Sequence, residues 1–247
     1  SNDKNLKEII KKKYPQIRYF LSKTNLGYGC ANNKIFKIAK TRFVFIINPD
    51  TKLKKNCIKN LIKDANKIRE DFAIIAPICS KKNYGFFKKR NPSKIKLTNL
   101  IQVGWVQGFA MLTNVSKLKK INFFDKNIFL YLEEIDLCKR LLQNKERILV
   151  STNSQIVHLS AKSSNIGFEF DRCRNWHYMW SKFYFYKKHY SYFRGLKETA
   201  SNLIKSLFKT LIYFLLNNSK YIIYKNRLSG LLNSYLNKKS WDRPLLK

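Results

Sequence analysis

Two short apolar runs with a helical stretch between them constrain the fold more than any other feature. Phe43–Ile47 and Phe72–Ile78 are continuous runs of strand length, rich in β-branched and aromatic residues. Between them, Lys54–Arg69 carries apolar residues at helical spacing. Strands that alternate with helices favour a parallel sheet covered by helices on both faces. The sequence therefore predicts an α/β fold.

The same patterns predict the remaining elements. Helices are expected over Leu6–Lys13, Gly29–Ala39, Val115–Ile121 and Glu133–Gln143, and short strands over Ile17–Leu21, Val103–Val106, Ile148–Val150 and Gln155–His158. Ser80–Asn99 is basic, contains Pro and Gly, and is expected to be a loop. After about residue 168 the chain becomes helical in period, over Phe168–Tyr190, Leu196–Leu216 and Tyr221–Leu236. We therefore expect an α/β domain over residues 1–168 and a C-terminal helical region over residues 169–247.

Composition limits the class of protein. The 247 residues are 45% hydrophobic and 15% aromatic, which excludes a disordered chain. The formal net charge of +35 would attract nucleic acid, anionic lipid or phosphorylated ligands. The alternative is that much of this charge reflects a genome-wide preference for A/T-rich codons. Five cysteines without a CxxC pair, no signal peptide and no long apolar run favour a reducing, cytoplasmic location.

Asn48-Pro49-Asp50-Thr51 directly follows the first apolar run. Ligands of open α/β sheets bind at the carboxyl ends of the strands, so Asp50 is placed to coordinate Mg²⁺ or Mn²⁺ beside a diphosphate. The alternative is an ordinary turn, which these residue types also favour. His158 ends another predicted strand and could be a second metal ligand or a buried polar residue.

A second group of acidic residues lies at the start of a predicted helix. Glu133, Glu134 and Asp136 occur within four positions of a chain that has only 15 acidic residues. Clustered carboxyl groups raise one another's pKa, so one of the three is a candidate general base. Asp136 and Arg140 have the i,i+4 spacing of a helical ion pair. The alternative is an acidic first turn stabilised by the helix dipole.

Two further segments could contact a ligand. Asn25-Leu26-Gly27-Tyr28-Gly29 precedes a predicted helix, where glycines let backbone N–H groups approach phosphate, although the segment is not a P-loop. Trp105-Val106-Gln107-Gly108 could stack an indole on a sugar or base, or simply pack in the core.

The order of these segments resembles the family 2 glycosyltransferases, and in particular bacterial rhamnosyltransferase-like members that build cell-surface polysaccharides. The resemblance is carried by NLGYGCANN, NPDT, WVQGFAML, FDKNIFLYLEEIDLCKR and IVHLSAKSS. It implies a GT-A, Rossmann-like nucleotide-diphospho-sugar transferase fold with a mostly parallel sheet flanked by helices and a C-terminal helical extension. Ser1-Asn2-Asp3 resembles the tail of the family's D-N-x-S-x-D segment, which implies that the chain begins inside that motif and is truncated.

The resemblance also implies roles for single residues. Asp50 matches the last position of a D-x-D-type metal motif, and His158 matches the second metal ligand. Glu134 matches the second position of the E-D motif and would be the catalytic base, with Glu in place of the usual Asp. Glu133 and Asp136 stay open as alternative bases. The other matching residues would bind the donor or line the donor and acceptor region: Asp3, Asn25, Gly27, Asn32, Trp105 and Gly108.

The function implied is an inverting, metal-dependent transfer from a nucleoside diphosphate sugar to a saccharide or lipid-linked acceptor. In the C-terminal region, apolar residues recur at helical spacing beside lysines, at Leu203, Leu207, Leu211, Phe214 and Leu215. This face is expected either to contact the anionic inner surface of the cell membrane peripherally, or to pack on the catalytic domain or a second subunit. Two alternatives to a transferase are a basic nucleic-acid-binding protein and a non-catalytic, transferase-like scaffold.

Overall fold

The computed structural model describes residues 4–69, 71–79, 84–85, 87, 99–159 and 167–243. Within these residues the helices are α1 Lys4–Lys13, α2 Gly27–Ile38, α3 Cys57–Lys67, α4 Val115–Lys120, α5 Glu133–Gln143, α6 Phe168–His189, α7 Tyr192–Leu215 and α8 Lys220–Tyr235. The strands are β1 Phe43–Ile47, β2 Thr51–Leu53, β3 Ile74–Cys79, β4 Tyr84–Gly85, β5 Leu100–Gln102, β6 Trp105–Val106, β7 Ala110–Asn114 and β8 Ile148–His158.

Most predicted elements are present, and β1 and α5 have the predicted bounds. Two predictions are corrected. Ile17–Leu21 is not a strand, because a strand needs a neighbour for its backbone groups and no described strand pairs with it. The two short strands predicted over Ile148–Val150 and Gln155–His158 are one continuous strand, β8. Most of the predicted Ser80–Asn99 loop lies outside the described residues.

The main sheet has six strands, with β1, β7, β3, β8 and β2 side by side and β5 paired to β8. β7 lies between β1 and β3 and is antiparallel to both, whereas β3 and β8 are parallel. β2 and β5 pair antiparallel with different parts of β8. The sheet is therefore mixed, which corrects the expected mostly parallel sheet. All five residues of β7 are buried, and this burial between β1 and β3 could not be inferred from chain order.

The core of this unit lies between the sheet and α3. Cys57, Leu61 and Ala65 share the buried face of α3 because they are four residues apart. They pack against buried side chains from the strands and their ends, including Phe72, Ile75, Phe109, Leu112, Leu149 and Ile156. Burial of an apolar side chain of this size stabilises a fold by roughly 1.5–3 kcal/mol.

An irregularity in β8 sets the position of its last residues. The register against β3 shifts between Pro77 and Ile78, so Pro77 faces Ser151 and Ile78 faces Gln155. α3 holds the extra residues, since Ser151 Oγ donates to Asp64 Oδ2 at 2.6 Å and Asn60 Nδ2 donates to the Asn153 carbonyl. A bulge of this kind re-aims the strand that follows it. Beyond it, β2 pairs with β8 so that Thr51 faces His158.

The described residues divide into two compact units, one formed by residues 29–159 and the other by residues 4–28 and 167–243. In the second unit α6 packs against α7 and α8, with a glycine at two of the close contacts. A Cβ atom on Gly230 would lie 2.2 Å from the Trp176 carbonyl oxygen, and one on Gly195 would lie 2.7 Å from the Phe183 ring. None of the described helices combines the length and apolar character that crossing a bilayer requires.

Candidate active site

Asp50 and His158, predicted as metal ligands, lie side by side. Asp50 Oδ1 is 3.3 Å from His158 Nε2, and Asp50 is only 6% exposed. Two contacts bring these residues together, although they are far apart in the sequence. β2 pairs with the end of β8, and the Leu159 N–H donates to the Asp50 carbonyl at 2.9 Å.

The turn that carries Asp50 is fixed by its neighbours. The Thr51 N–H donates to the Asn48 carbonyl, which closes a turn over Asn48-Pro49-Asp50-Thr51. The residue types of this segment predicted such a turn. The Asn48 N–H donates to the Phe109 carbonyl at 2.8 Å. The Phe109 ring stacks on the His158 imidazole with 4.3 Å between ring centroids. Phe109 therefore contacts the segments that carry both candidate metal ligands. The sequence motif WVQGFAML contains Phe109, but the motif alone did not predict this supporting role.

The donor set of this pair fits a divalent cation. Ligands at adjacent corners of an octahedron are about 3 Å apart when metal–oxygen distances are about 2.1 Å. The 3.3 Å between Asp50 Oδ1 and His158 Nε2 is close to that spacing. A carboxylate oxygen suits both Mg²⁺ and Mn²⁺, whereas an imidazole nitrogen is more typical of transition metals. The two side chains are therefore suited to hold Mn²⁺ or Mg²⁺ with further ligands from a substrate or water.

The acidic helix α5 is linked to this pair through β6 and Phe109. α5 packs against β6, where the Val106 backbone hydrogen-bonds the Cys138 thiol. Phe109, which stacks on His158, follows Val106 by three residues. A chain of three residues spans at most about 11 Å. The backbone that contacts α5 and the backbone that contacts His158 are thus close together.

The start of α5 has an unusual backbone. Tyr131 and Leu132, which precede Glu133, have φ angles of 67° and 66°. Non-glycine residues rarely adopt this left-handed conformation, and each costs roughly 1–3 kcal/mol. Strain of this kind is concentrated at functional sites. Here the two left-handed residues determine the orientation of the first turn of α5, which carries the carboxyl groups, relative to the preceding chain.

The three carboxyl groups of α5 have different surroundings. Glu133 is 6% exposed, and among the described residues its Oε2 has no hydrogen-bond partner. Burial, together with the charge of Glu134, raises the pKa of Glu133 well above its ordinary value. Glu134 is only partly buried, and desolvation raises its pKa to about 7. Burial therefore disfavours the charged form of Glu133 more strongly, whereas the pKa of Glu134 lies near neutrality.

Asp136 has a structural environment instead. It is fully buried and accepts a hydrogen bond from Arg140 Nε at 2.8 Å, the i,i+4 pair that the spacing predicted. Arg140 Nη1 also donates to the Ile121 carbonyl at 2.7 Å. Arg140 thus connects α5 to the end of α4, and the Asp136 carboxylate is hydrogen-bonded to this arginine. These contacts favour a structural role for Asp136.

Trp105 and Gly108 lie in and just after β6. The partly buried indole of Trp105 packs on Gly85 of β4, where an added Cβ would lie 2.6 Å from the ring. Gly108 is in the turn between β6 and β7 and is partly exposed. Trp105 is thus held by packing in the small β4–β6 sheet, one residue from the Val106 contact with α5.

The glycine-rich segment forms the start of α2. The Gly27 N–H donates to Asn25 Oδ1 at 3.0 Å, and Gly27 has a φ of 73° that favours glycine. Asn32 is partly buried on α2. Its neighbour Asn33, not singled out from the sequence, exchanges two hydrogen bonds with the Phe124 backbone. Asp3 lies outside the described residues.

A second group of metal-type ligands occurs in the helical unit. Ligand atoms of the buried residues Cys173, His177 and Asp242 lie within 4.8 Å of one another. However, Arg172 donates two hydrogen bonds to the Asp242 carboxylate, and His177 contacts the Asp242 carbonyl and Ser240 Oγ. Burial also raises the pKa of Cys173 to about 12, so its thiol stays protonated. These contacts fasten the C-terminal segment to α6 and engage the ligand atoms of His177 and Asp242 in structural hydrogen bonds.

Comparison with known sequences extends these observations. The profile of "Glycosyl transferase family 2" matches residues 1–138. Rhamnosyltransferase WbbL of Escherichia coli K12 is 25% identical over 178 residues, which are 61% of this chain and 67% of the relative. N-acetylglucosaminyl-diphospho-decaprenol L-rhamnosyltransferase of Mycobacterium tuberculosis is 24% identical over 189 residues, or 62% of each chain. The chain thus spans about two thirds of the length of these curated relatives.

Two solved structures are similar in fold. GalNAc-T7, crystallised with UDP, GalNAc and Mn²⁺, aligns over 82% of this chain and 48% of its own with a TM-score of 0.54 and 12% identity. The mannosyltransferase PcManGT from Pyrobaculum calidifontis, in complex with GDP-Man and Mn²⁺, aligns over 95% and 74% of the two chains with a TM-score of 0.50 and 11% identity. At such identities the likeness concerns the fold alone, and the expected GT-A fold is confirmed.

Proposed function

Because the chain belongs to glycosyl transferase family 2, we propose that it transfers a sugar from a nucleoside diphosphate sugar to a hydroxyl group of an acceptor. The observation that carries the proposal is the Asp50–His158 pair, formed by the turn after β1 and the last residue of β8, and linked through Phe109 and β6 to helix α5. Family membership does not favour a nucleic-acid-binding protein or a scaffold without activity.

The proposed donor is a nucleoside diphosphate sugar bound with a divalent cation. Support comes from GalNAc-T7, whose structure holds UDP and Mn²⁺, and from PcManGT, whose structure holds GDP-Man and Mn²⁺. Asp50 and His158 would hold the cation, which when bound neutralises charge on the departing diphosphate. Asp3, Asn25, Gly27 and Asn32 are proposed donor-binding residues, and Trp105 and Gly108 are proposed to line the donor and acceptor region.

The proposed acceptor is a saccharide or a lipid-linked saccharide used in cell-surface polysaccharide synthesis. The name of the mycobacterial relative describes an acceptor joined through diphosphate to decaprenol. An acceptor of this class is held at a membrane, so the enzyme is proposed to work at the inner face of the cell membrane. The α/β part up to about residue 168 is proposed to carry catalysis, with residues 169–247 as a helical extension.

Glu134 is the proposed catalytic base. Its carboxylate would accept the proton of the acceptor hydroxyl while the hydroxyl oxygen forms a bond to the anomeric carbon. The bond from that carbon to the diphosphate oxygen breaks in the same step, which inverts the configuration. With a pKa raised to about 7, the Glu134 carboxylate is more basic than an ordinary glutamate. Glu133, which is buried, and Asp136, which is bonded to Arg140, are less suited to this role.

Substitution of Glu134 tests the proposal. Glu134→Gln keeps the size of the side chain but cannot take a proton, so we expect a loss of transfer of roughly 100-fold to 10,000-fold. Glu134→Asp restores the residue usual in the family and should retain substantial activity. The measurement is transfer of radiolabelled sugar to acceptor, with release of nucleoside diphosphate followed in parallel.

Exposed Glu169 on α6 provides the control, since Glu169→Gln changes the same chemical group in the helical unit. Near-normal transfer by Glu134→Gln would remove Glu134 as the base. Comparable losses in Glu134→Gln and Glu169→Gln would point to folding instead of catalysis.

A further inference from the structure

One side of α7 exposes large apolar side chains. Six residues form this exposed side, which is called the α7 face: Ile204, Leu207, Phe208, Leu211, Phe214 and Leu215. Each of them is between 49% and 72% exposed. Each residue has another member of the set three or four positions away, so the six side chains form a stripe along the helix. Folded chains in water rarely leave so many neighbouring apolar side chains uncovered, and such a patch marks an interaction surface.

The opposite side of α7 packs inside the helical unit. Its buried residues are small, namely Gly195, Thr199 and Ser206, and the partly buried Leu196 and Leu203 pack against the apolar cluster of Met179, Phe183 and Leu231. Thr199 Oγ donates to the Gly195 carbonyl at 2.7 Å, so its hydroxyl is satisfied within the helix. α7 therefore places only small residues at its buried positions and leaves six large apolar side chains exposed, which is unusual for a helix in water. Helices that contact lipid have this arrangement, with small residues between helices and apolar residues outside.

The charge around the α7 face has a single sign. Residues 199–241 contain no Asp or Glu and seven basic residues: Lys205, Lys209, Lys220, Lys225, Arg227, Lys238 and Lys239. Basic residues beside an apolar helix face are attracted to anionic lipid headgroups, each by about 1 kcal/mol near the surface. A second copy of the chain would instead bring the same positive charges against these ones, because a two-fold interface is self-complementary.

Aromatic and basic side chains meet where α7 ends and α8 begins. Tyr213 and Tyr224 have ring centroids 5.5 Å apart, and Lys209 Nζ donates to the Tyr224 hydroxyl at 3.1 Å. Lys220 Nζ lies 5.9 Å from the Tyr213 ring centroid. Tyrosine and lysine are the residues that anchor proteins at the level of lipid headgroups.

We propose that the α7 face binds the surface of an anionic lipid bilayer, with α7 lying in the interfacial plane. The six apolar side chains would enter the boundary between headgroups and acyl chains, and the surrounding lysines would contact lipid phosphates. This inference concerns the helical unit and holds whether or not Glu134 is the catalytic base.

The test uses the whole protein and flotation with vesicles of two compositions. One set contains equal amounts of phosphatidylglycerol and phosphatidylcholine, and the other contains phosphatidylcholine alone. We expect binding to the anionic vesicles, and a loss of at least tenfold in the partition coefficient for Leu211→Ser combined with Leu215→Ser. Lys205→Gln combined with Lys220→Gln should weaken binding by about fivefold for each charge removed at low salt.

Helix α3 supplies matched controls in the other unit. Ile58 and Ile62 are 49% and 36% exposed, so Ile58→Ser with Ile62→Ser removes two exposed apolar side chains elsewhere. Lys59→Gln with Lys63→Gln removes two exposed charges elsewhere. Both control variants should bind vesicles like the wild type. Unchanged circular dichroism and melting temperature of the α7 variant would show that it folds.

Three results would overturn the proposal. The first is wild-type protein that stays unbound with anionic vesicles, and the second is an equal loss of binding in the α3 controls, which would assign binding to overall charge. The third is a wild-type dimer, detected by sedimentation, that Leu211→Ser with Leu215→Ser dissociates without any vesicle binding. Transfer to a water-soluble acceptor should be unchanged in the α7 variants, which separates this test from that of the catalytic base.

Discussion

At the scale of single residues, burial distinguishes Glu134, which the family resemblance favours as the base, from its neighbour Glu133. Glu133 is enclosed and its pKa is raised well above the ordinary value, whereas Glu134 is partly exposed with a pKa raised to about 7. A base must reach the acceptor hydroxyl and lose its proton at neutral pH. Glu134 is the proposed base because it is the more exposed of the two and its pKa lies near neutrality.

The pH dependence of transfer follows from the pKa of Glu134. Only the deprotonated form acts as a base, so kcat/KM should rise with pH through about 7 and level off above it. The measurement is the pH profile of kcat/KM at a saturating concentration of cation. A profile that falls as pH rises through neutrality would contradict the assignment, as would an unchanged rising limb in Glu134→Gln.

Metal preference follows from the mixed donor set of Asp50 and His158. Because His158 offers an imidazole nitrogen, we expect higher activity with Mn²⁺ than with Mg²⁺, and a smaller difference between the two ions in His158→Ala.

Asp50→Asn should lower the affinity for the cation. Loss of a group that only supports a metal ligand lowers metal affinity by roughly tenfold to hundredfold, and loss of Asp50 itself should lower it further. Isothermal titration of Mn²⁺ in the presence of nucleoside diphosphate measures this directly. Unchanged Mn²⁺ affinity in Asp50→Asn would exclude this residue as a ligand.

At the scale of elements, close backbone approach determines which substitutions the helices tolerate. α8 crosses α6 at Gly230, where an added Cβ would lie 2.2 Å from a carbonyl oxygen of Trp176. Neither backbone can give way easily, because Trp176 is fully buried. A glycine inside a helix usually costs stability relative to alanine, so its presence here marks the contact.

Gly230→Ala should therefore destabilise the protein by about 1–3 kcal/mol, the usual cost of overpacking. Gly167, the residue before α6, is the matched control, since no atom lies within 4 Å of the position of an added Cβ and its φ is −81°. Gly167→Ala should be nearly neutral. Urea unfolding of the two variants measures the difference, and equal unfolding free energies would show that the α6–α8 contact adapts to a side chain.

At the scale of the whole molecule, a net charge of +35 complicates any test of donor binding. A strongly basic chain attracts polyanions of many kinds without a dedicated site. The proposed binding at Asp50 and His158 would be distinguishable from such attraction, because it is expected to depend on a divalent cation. Cation dependence is thus the property that separates a transferase site from a basic surface.

Thermal stability should report this dependence. A nucleoside diphosphate with Mn²⁺ at about 100 times its Kd would stabilise the folded chain by about 2.7 kcal/mol, and EDTA should abolish the effect. The measurement is the change in Tm with and without chelator, in wild type and in Asp50→Asn. An equal rise in Tm in the presence of EDTA would assign binding to the overall charge.

The sequence by itself determined most elements, because helices and strands follow from local spacing of apolar residues. β1 and α5 match their predicted bounds, and the Asp136–Arg140 pair follows from i,i+4 spacing. The order of motifs was enough to identify the family, and the position of Asp50 after an apolar run of strand length was enough to propose it as a metal ligand.

Only the tertiary structure decided what depends on residues far apart in the chain. β7 between β1 and β3 makes the sheet mixed, and the pairing of β2 with β8 brings Asp50 to His158. Burial separates Glu133 from Glu134, and the packing of α7 in the helical unit leaves one of its apolar sides exposed. Strand pairing and solvent exposure are properties of neighbours in space, and a local pattern in the sequence does not contain them.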